Sequence, residues 1–196
     1  MYKRYFKRWI DVFLSLCGII ALAIPMLVVA VIIKIDSPGP ALFRQKRIGK
    51  CKKQFYMIKF RSMSMQTPPD TPTHLLSHPE FYITPVGRFI RRTSIDELPQ
   101  LFCILKGDMS VVGPRPALWN QYDLIEERDK YGANDIKPGL TGWAQINGRD
   151  ELPIDVKAQF DGEYVKKMSF RFDCKCFWRT ILRVLRRDGV LEDTRK

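Results

Sequence analysis

Residues 9–35 read WIDVFLSLCGIIALAIPMLVVAVIIKI, an apolar run broken only by Asp11, Ser15, Cys17, Gly18, Pro25 and Lys34. As a straight helix it would reach about 40 Å, more than the roughly 30 Å of a bilayer's hydrocarbon core. A soluble core helix of this length and hydrophobicity is unusual, so the run reads as a membrane segment. Its flanks complicate a simple crossing. Lys3, Arg4, Lys7 and Arg8 precede it, and Lys34, Arg44, Lys46, Arg47, Lys50, Lys52 and Lys53 follow. Cytoplasmic flanks favour Lys and Arg, and one crossing would put a basic flank on the wrong side. Pro25 removes a backbone hydrogen bond mid-run and can break the helix into two arms of about 20 Å that enter and return. Helices that span also tolerate a Pro kink. Spanning and re-entrant readings therefore both stand at this point. Residues 1–8, MYKRYFKR, carry four cations and three aromatics, the makeup of an interfacial segment.

Outward from the run, Asp36-Ser-Pro-Gly-Pro40 is a turn cluster that ends it. Residues 41–45 and 54–60 read as strands of a hairpin around the basic loop 46–53. Residues 62–83, rich in Pro, Thr, Ser and His, read as a surface loop. Residues 93–101, TSIDELPQL, follow three arginines, Arg88, Arg91 and Arg92. Ser94 and Glu97 have capping-box spacing, which would place Asp96 and Glu97 in a first helical turn. There the helix dipole favours the ionised carboxyl by about 0.3–1 kcal/mol. An ionised Asp is a candidate nucleophile or metal ligand, and arginines beside it call for an anionic substrate. Simple capping, with Asp96 complementing the dipole, explains the same spacing. Leu98, Leu101, Phe102 and Leu105 recur at helical spacing as the buried face of the helix that follows.

Residues 111–116, VVGPRP, frame Arg115 between two prolines, and a rigid Arg suits bidentate anion recognition. Residues 119–131 read as a polar helix. Residues 137–149, KPGLTGWAQINGR, carry three glycines and end on Arg149, which suits a loop closing over a ligand. The spacing is neither that of a P-loop nor of a dinucleotide fingerprint. Over 174–187, Phe177, Trp178, Ile181, Leu182 and Leu185 fall on one helical face, with Arg179, Arg183, Arg186 and Arg187 on the other. That pattern fits an anionic membrane surface or packing on the domain core.

The net charge of +12 and pI near 9.6 call for a polyanionic partner. Five cysteines without paired C-x-x-C sets fit a reducing compartment. Cys174 and Cys176 lack the further ligands of a zinc site, and His74 and His78 read as solvated loop residues. No cleavable signal is evident, because no small-residue cleavage site follows the apolar run. The chain reads as α+β: a membrane and interfacial part over 1–36 and a catalytic domain over 37–196, built of helices, a short hairpin or sheet and amphipathic interfacial helices.

The motifs FRQKRIG (43–49), KFRSM (59–63), SIDELPQL (94–101), LKGDMS (105–110), GPRP (113–116) and residues 137–149 occur together and in order. On these the chain resembles the small monotopic bacterial phosphoglycosyl transferases, or bacterial sugar transferases, nearly end to end. The resemblance implies transfer of a sugar 1-phosphate from a UDP-sugar to a polyprenyl (undecaprenyl) phosphate at the cytoplasmic face of the inner membrane. Asp96 would form a covalent phosphosugar and release UMP, with Glu97 as its dyad partner and Mg2+, held in part by Asp96, as cofactor. Arg115 would grip phosphate. Lys59, Arg61, Arg88, Arg91, Gln145, Arg149, Asp161 and Asp173 are the further substrate-site matches. The family's membrane segment is a re-entrant helix-break-helix, and membrane lipids are implied partners, with a homodimer left open. FDGEY (160–164) departs from the tyrosine-rich stretch usual after the matched Asp161. The sugar and the pathway are not legible.

Two rivals share some of these features. A membrane-anchored module binding lipid or nucleic acid explains the charge but not Asp96 and Glu97, which repel phosphates without a metal or catalytic role. The aromatic-and-base interleaving of a nucleic-acid groove is also missing, so no nucleic-acid partner is expected. A membrane phosphohydrolase would share Asp96 and Mg2+ but transfer to water.

Overall fold

The structure, a computed structural model, describes residues 1–68, 78–148 and 152–186, with only the backbone at Arg4, Pro79, Leu185 and Arg186. The architecture is mixed: one long apolar helix, six shorter helices and two small sheets among the described residues. Helix α1 (Lys7–Asp36) runs through Pro25 as a single helix, so the expected helix-break-helix is not seen.

Helical periodicity divides α1 into two apolar stripes. Asp11, Ser15, Met26 and Ile33 are buried, and Leu22 packs beside them on the domain core. Gly18 lies on the same side, facing Leu101. Opposite them, Trp9, Phe13, Leu16, Ile20, Ile24, Leu27, Val31 and Ile35 are exposed. Apolar side chains on both stripes explain why the sequence looks like a uniform membrane segment. Only the packing tells them apart.

Polar contacts pin both ends of α1 to the same domain. Near its start, the Asp11 carboxylate accepts from the Val111 amide at 2.9 Å and the Ser110 hydroxyl at 2.8 Å. Arg8 donates to the Ile104 and Leu105 carbonyls at 2.6 and 2.8 Å, in the last turn of the helix Gln100–Lys106. Near its end, Arg61 donates to the carbonyls of Ser37 at 2.7 Å, Ile33 at 3.4 Å and Pro38. This buried guanidinium closes the helix end, a task separate from the substrate binding expected of Arg61.

Strands β1 (Leu42–Ile48) and β2 (Gln54–Phe60) form the expected antiparallel hairpin, with Leu42 opposite Phe60 and Ile48 opposite Gln54. The first strand runs three residues further than its composition suggests, because Arg44, Lys46 and their neighbours pair along the backbone regardless of charge. The 62–83 segment is closed at its base by a Met63–Ile83 bridge, and residues 69–77, including His74, lie outside the description. Helix α2 (Pro85–Arg92) starts at Thr84, whose hydroxyl accepts from the Gly87 amide at 2.9 Å, with Pro85 in the first turn.

Helix α3 (Gln100–Lys106) buries Leu101, Cys103 and Ile104 and leaves Phe102 exposed, so its inner face is rotated from the expected one. Strand β3 (Ser110–Val112) pairs in parallel with β4 (Gly139–Thr141). A Cβ at Gly139 would lie 2.1 Å from the Gly113 nitrogen, and one at Gly142 would lie 2.1 Å from the Gly113 oxygen. Those glycines serve close backbone approach in the core. With α5 (Trp143–Asn147), which buries Trp143 and Ile146, they correct the reading of 137–149 as a loop closing over a ligand.

Helix α4 (Tyr122–Asp129) packs on α6 (Ile154–Lys167), an element the sequence reading did not identify. Helix α7 (Phe170–Arg186) closes the domain, burying Asp173 and Cys176. Two of its arginines reach the domain: Arg179 lies 5.7 Å from the Trp143 ring centre, and Arg183 donates to the Gln145 carbonyl at 3.1 Å. Phe177, Trp178 and Leu182 are left exposed. Arg187 lies outside the described residues.

Candidate functional site

Asp96 and Glu97 sit on a 3₁₀ turn (Ile95–Glu97) between α2 and α3, not in the first turn of an α-helix. Ser94 takes a left-handed backbone (φ 56°) and makes no side-chain cap. The capping box is therefore not formed, and the Glu97 side chain is free for other partners. Its carboxylate accepts from the Arg115 guanidinium at 3.0 Å and from the Lys59 ammonium at 3.4 Å. Strand β2 delivers Lys59, the turn delivers the dyad, and the proline-framed loop after β3 delivers Arg115.

The two carboxyls are driven apart electrostatically. Burial pushes Glu97 up, but Arg115 and Lys59 together outweigh that and hold it down at about 2. Burial pushes Asp96 up to about 6, Glu97 adds to the rise, and Lys59, Arg91 and Arg115 only partly oppose it. Burial also pushes the Lys59 amine down from its ordinary value, against the pull of Glu97. The helix-dipole expectation for Asp96 is thus reversed by burial. Asp96 is 8% exposed, and its carboxyl accepts no hydrogen bond from the described residues.

This arrangement leaves Asp96 ionised at neutral pH yet not committed to a cation. Glu97 neutralises one of its two close cations, so a net positive charge remains beside Asp96, with Arg91 adding to it. An anion can be held there, and an oxygen nucleophile stands beside it.

The other expected residues are distributed differently. Arg88 is exposed on α2. The Gln145 amide donates to the Leu140 carbonyl at 3.2 Å. Asp161, 1% exposed, pairs with Arg128 at 2.6 Å. Asp173 accepts from Lys7 at 2.5 Å, from Tyr2 at 2.6 Å and from Tyr164 at 2.8 Å. Those two aspartates are bound up inside the domain, away from any open anion site. Arg149 lies outside the described residues. Sequence reasoning gave no role to Arg128, Tyr164 or Asp11: the first reads as part of the polar helix 119–131, and the other two stand out only as the end of the FDGEY stretch and an interruption of the apolar run.

Among the described residues no three acidic, His or Cys side chains gather into a metal cage. Mg2+ needs none, because it keeps several waters and binds one or two carboxylates together with substrate phosphates. The Asp96 carboxylate, with the Arg115 and Lys59 cations nearby, fits that donor chemistry.

Residues 2–187 match the family model described as bacterial sugar transferase. The chain is 40% identical over 188 residues to EpsL of Bacillus subtilis, described as an uncharacterized sugar transferase, covering 96% of this chain and 89% of that one. It is 39% identical over 182 residues to a UDP-glucose:undecaprenyl-phosphate glucose-1-phosphate transferase of Xanthomonas campestris pv. campestris, covering 89% and 38%. Against the undecaprenyl-phosphate galactose phosphotransferase of Salmonella typhimurium it is 37% identical over 203 residues, covering 96% and 42%. The chain thus spans about two fifths of the length of the latter two relatives.

Proposed function

Because the chain belongs to the bacterial sugar transferase family, we propose that it transfers a sugar 1-phosphate from a UDP-sugar to undecaprenyl phosphate through a covalent intermediate on Asp96. The observation that carries this reading is the divided dyad: Glu97 is spent on Arg115 and Lys59, while Asp96 is buried and accepts no hydrogen bond from the described residues. The names of the relatives supply the substrate classes.

In the first step an Asp96 oxygen attacks the β-phosphorus of the UDP-sugar. The bond from that phosphorus to the bridging oxygen breaks, and UMP leaves with the electron pair. In the second step a phosphate oxygen of the lipid attacks the same phosphorus, and the Asp96 carboxylate leaves. The product is a polyprenyl diphosphate sugar. Arg115 and Lys59 hold the diphosphate against the dyad, and Glu97 fixes both cations. Mg2+, where bound by Asp96 and the diphosphate, supplies charge neutralisation.

The packing of α1 supports a placement on one face of the membrane. The helix is packed along the domain, with polar contacts at both ends. A perpendicular crossing would drag that domain, with exposed cations such as Arg88 and Arg92, into hydrocarbon. We read α1 as entering and remaining on the cytoplasmic side of the inner membrane, its exposed stripe in lipid, with Trp178, Phe177 and Leu182 at the same interface. Tags at either terminus should react only from the cytoplasm of intact cells. Labelling of one terminus from outside would mean a true span.

The reaction is tested with purified chain, Mg2+ and a panel of UDP-sugars without lipid acceptor. The expected result is release of UMP with a mass gain of one phosphosugar on the protein. UMP turnover without that gain would point to hydrolysis and overturn the covalent reading. Neither product with any sugar nucleotide would remove the transferase reading.

A further inference from the structure

We propose that Arg128 is a positioning residue of this reaction: backed by Asp161, it fixes the phosphate-gripping Arg115 through the main chain. The inference rests on the transferase reading for its consequence and on geometry for its existence. Prolines 114 and 116 lack N–H groups, so the loop that frames Arg115 can be fixed mainly through its carbonyls. Each carbonyl from residue 114 to 117 is taken. Gly139 donates to Pro114 at 2.8 Å, Arg128 to Arg115 at 2.9 Å, Arg47 to Pro116 at 2.9 Å, and the Ile48 amide to Ala117 at 2.9 Å. Just upstream, the Tyr164 hydroxyl lies 2.9 Å from the Val112 carbonyl.

Arg128 is the link that acts on Arg115 itself. It is 3% exposed, and its guanidinium is shared between two tasks. One terminal nitrogen serves the Arg115 carbonyl, while Nε and the other terminal nitrogen both serve Oδ2 of Asp161, at 2.8 and 2.6 Å. The second Asp161 oxygen is buried and has no hydrogen-bond partner among the described residues. A pair built only to join α4 to α6 would use both oxygens in parallel, the favoured fork geometry. Here the fork is turned so that one arm reaches the loop. Buried pairs are also weak stabilisers compared with apolar residues of similar volume, so stability gives little reason for this one. Helix α6 holds the segment at two points, with Asp161 through Arg128 and Tyr164 three residues on. That assigns a task to the FDGEY stretch that departs from the family pattern.

The test separates positioning from stability. The double variant Arg128→Met with Asp161→Leu removes both buried charges together and should keep the fold near native stability. With the Arg115 carbonyl released, UMP formation should fall about 10²-fold, the usual cost of an ångström-scale misplacement. Hydrogen exchange in the full chain should rise at the Gly113, Arg115 and Ala117 amides and stay unchanged elsewhere. In an Arg115→Lys background the same pair of changes should cost less than about threefold more, because groups acting through one another are not additive. Unchanged exchange in the loop, or an equal loss with Lys at 115, overturns the proposal. If the apolar pair does not fold, Arg128→Lys is judged by the same readouts, since an ammonium keeps the charge toward Asp161 but not the fork. Absence of UMP release by the native chain would strike the transferase reading alone, and loop exchange would still decide the positioning.

Discussion

Asp96→Asn is expected to abolish phosphosugar transfer and, in the same variant, to raise thermal stability. The first half follows from chemistry. An amide oxygen of Asn is too poor a nucleophile to form the acyl phosphate, so UMP release and the mass adduct should fall by more than about 10⁴-fold, the scale seen when a reacting group is removed. The second half follows from linkage. An acid held at about 6 in the folded chain and near 3.8 when unfolded carries a folding penalty in its ionised form. The penalty is absent below the unfolded value, grows as pH rises through this window and is complete above about 6. At pH 7.5 the neutral isostere escapes it, a gain on the order of 3 kcal/mol. Thermal melts of the two proteins at pH 7.5 and pH 4 check this: the difference should be present at the first and shrink at the second. A variant that loses stability at pH 7.5 would mean that Asp96 supports the fold, and residual UMP turnover at native rate would remove it as nucleophile.

The combination of inactivity and gained stability is informative because the carboxylates around it behave otherwise. Asp11, Asp161 and Asp173 are all buried, and each is engaged by named donors. Asp96 alone among these four buried aspartates is left without one. A carboxyl that accepts no hydrogen bond from the described residues and is raised by burial is what the proposed nucleophile requires.

That distinction was only half visible in the sequence. The DE pair, its neighbouring arginines and the proline frame of Arg115 were all legible, because residue type and spacing state them directly. The hairpin was legible too, since aromatic and β-branched residues are concentrated over 54–60 beyond a basic loop. What spacing could not say was which carboxylate would be paired. The S-x-x-E pattern pointed to a cap, yet Ser94 in a left-handed conformation aims the chain elsewhere, and Glu97 found two cations from distant strands and loops. Long-range ion pairs of this kind leave no local trace.

Helix α6 was missed for a related reason. Its buried positions are Ala158, Asp161, Gly162 and Tyr164, so the inner face carries a charge and two small residues where periodicity looks for bulk. Gly162 sits against Tyr131, where a Cβ would lie 2.6 Å from the tyrosine's own. Arg61's contacts with the end of α1 were equally hidden: a basic residue in a motif reads as a ligand for anions, whereas donors of this one end on the carbonyls that close α1. In both cases the partner is backbone or a distant helix, and composition records neither.

Glu97→Gln should act on Asp96 rather than on the fold. In the native chain Glu97 both repels charge on Asp96 and occupies Arg115 and Lys59. Without its charge, the repulsion disappears and two cations turn toward the nearest carboxylate. An opposite charge within a few ångströms lowers a carboxyl by about one to three units, so Asp96 should titrate well below its native value. A more acidic carboxylate is a weaker nucleophile, and an Arg115 drawn to Asp96 is withdrawn from phosphate. The plateau rate of adduct formation should therefore fall about 10²-fold. The pH profile gives the sharper reading. Attack needs ionised Asp96, so the native rate should drop as pH falls through about 6. In the variant that acid limb should move to lower pH while the plateau sinks. A sunken plateau with the limb still near its native position would assign Glu97 a direct part in proton transfer. Division of the dyad would then have to come from burial of Asp96 alone.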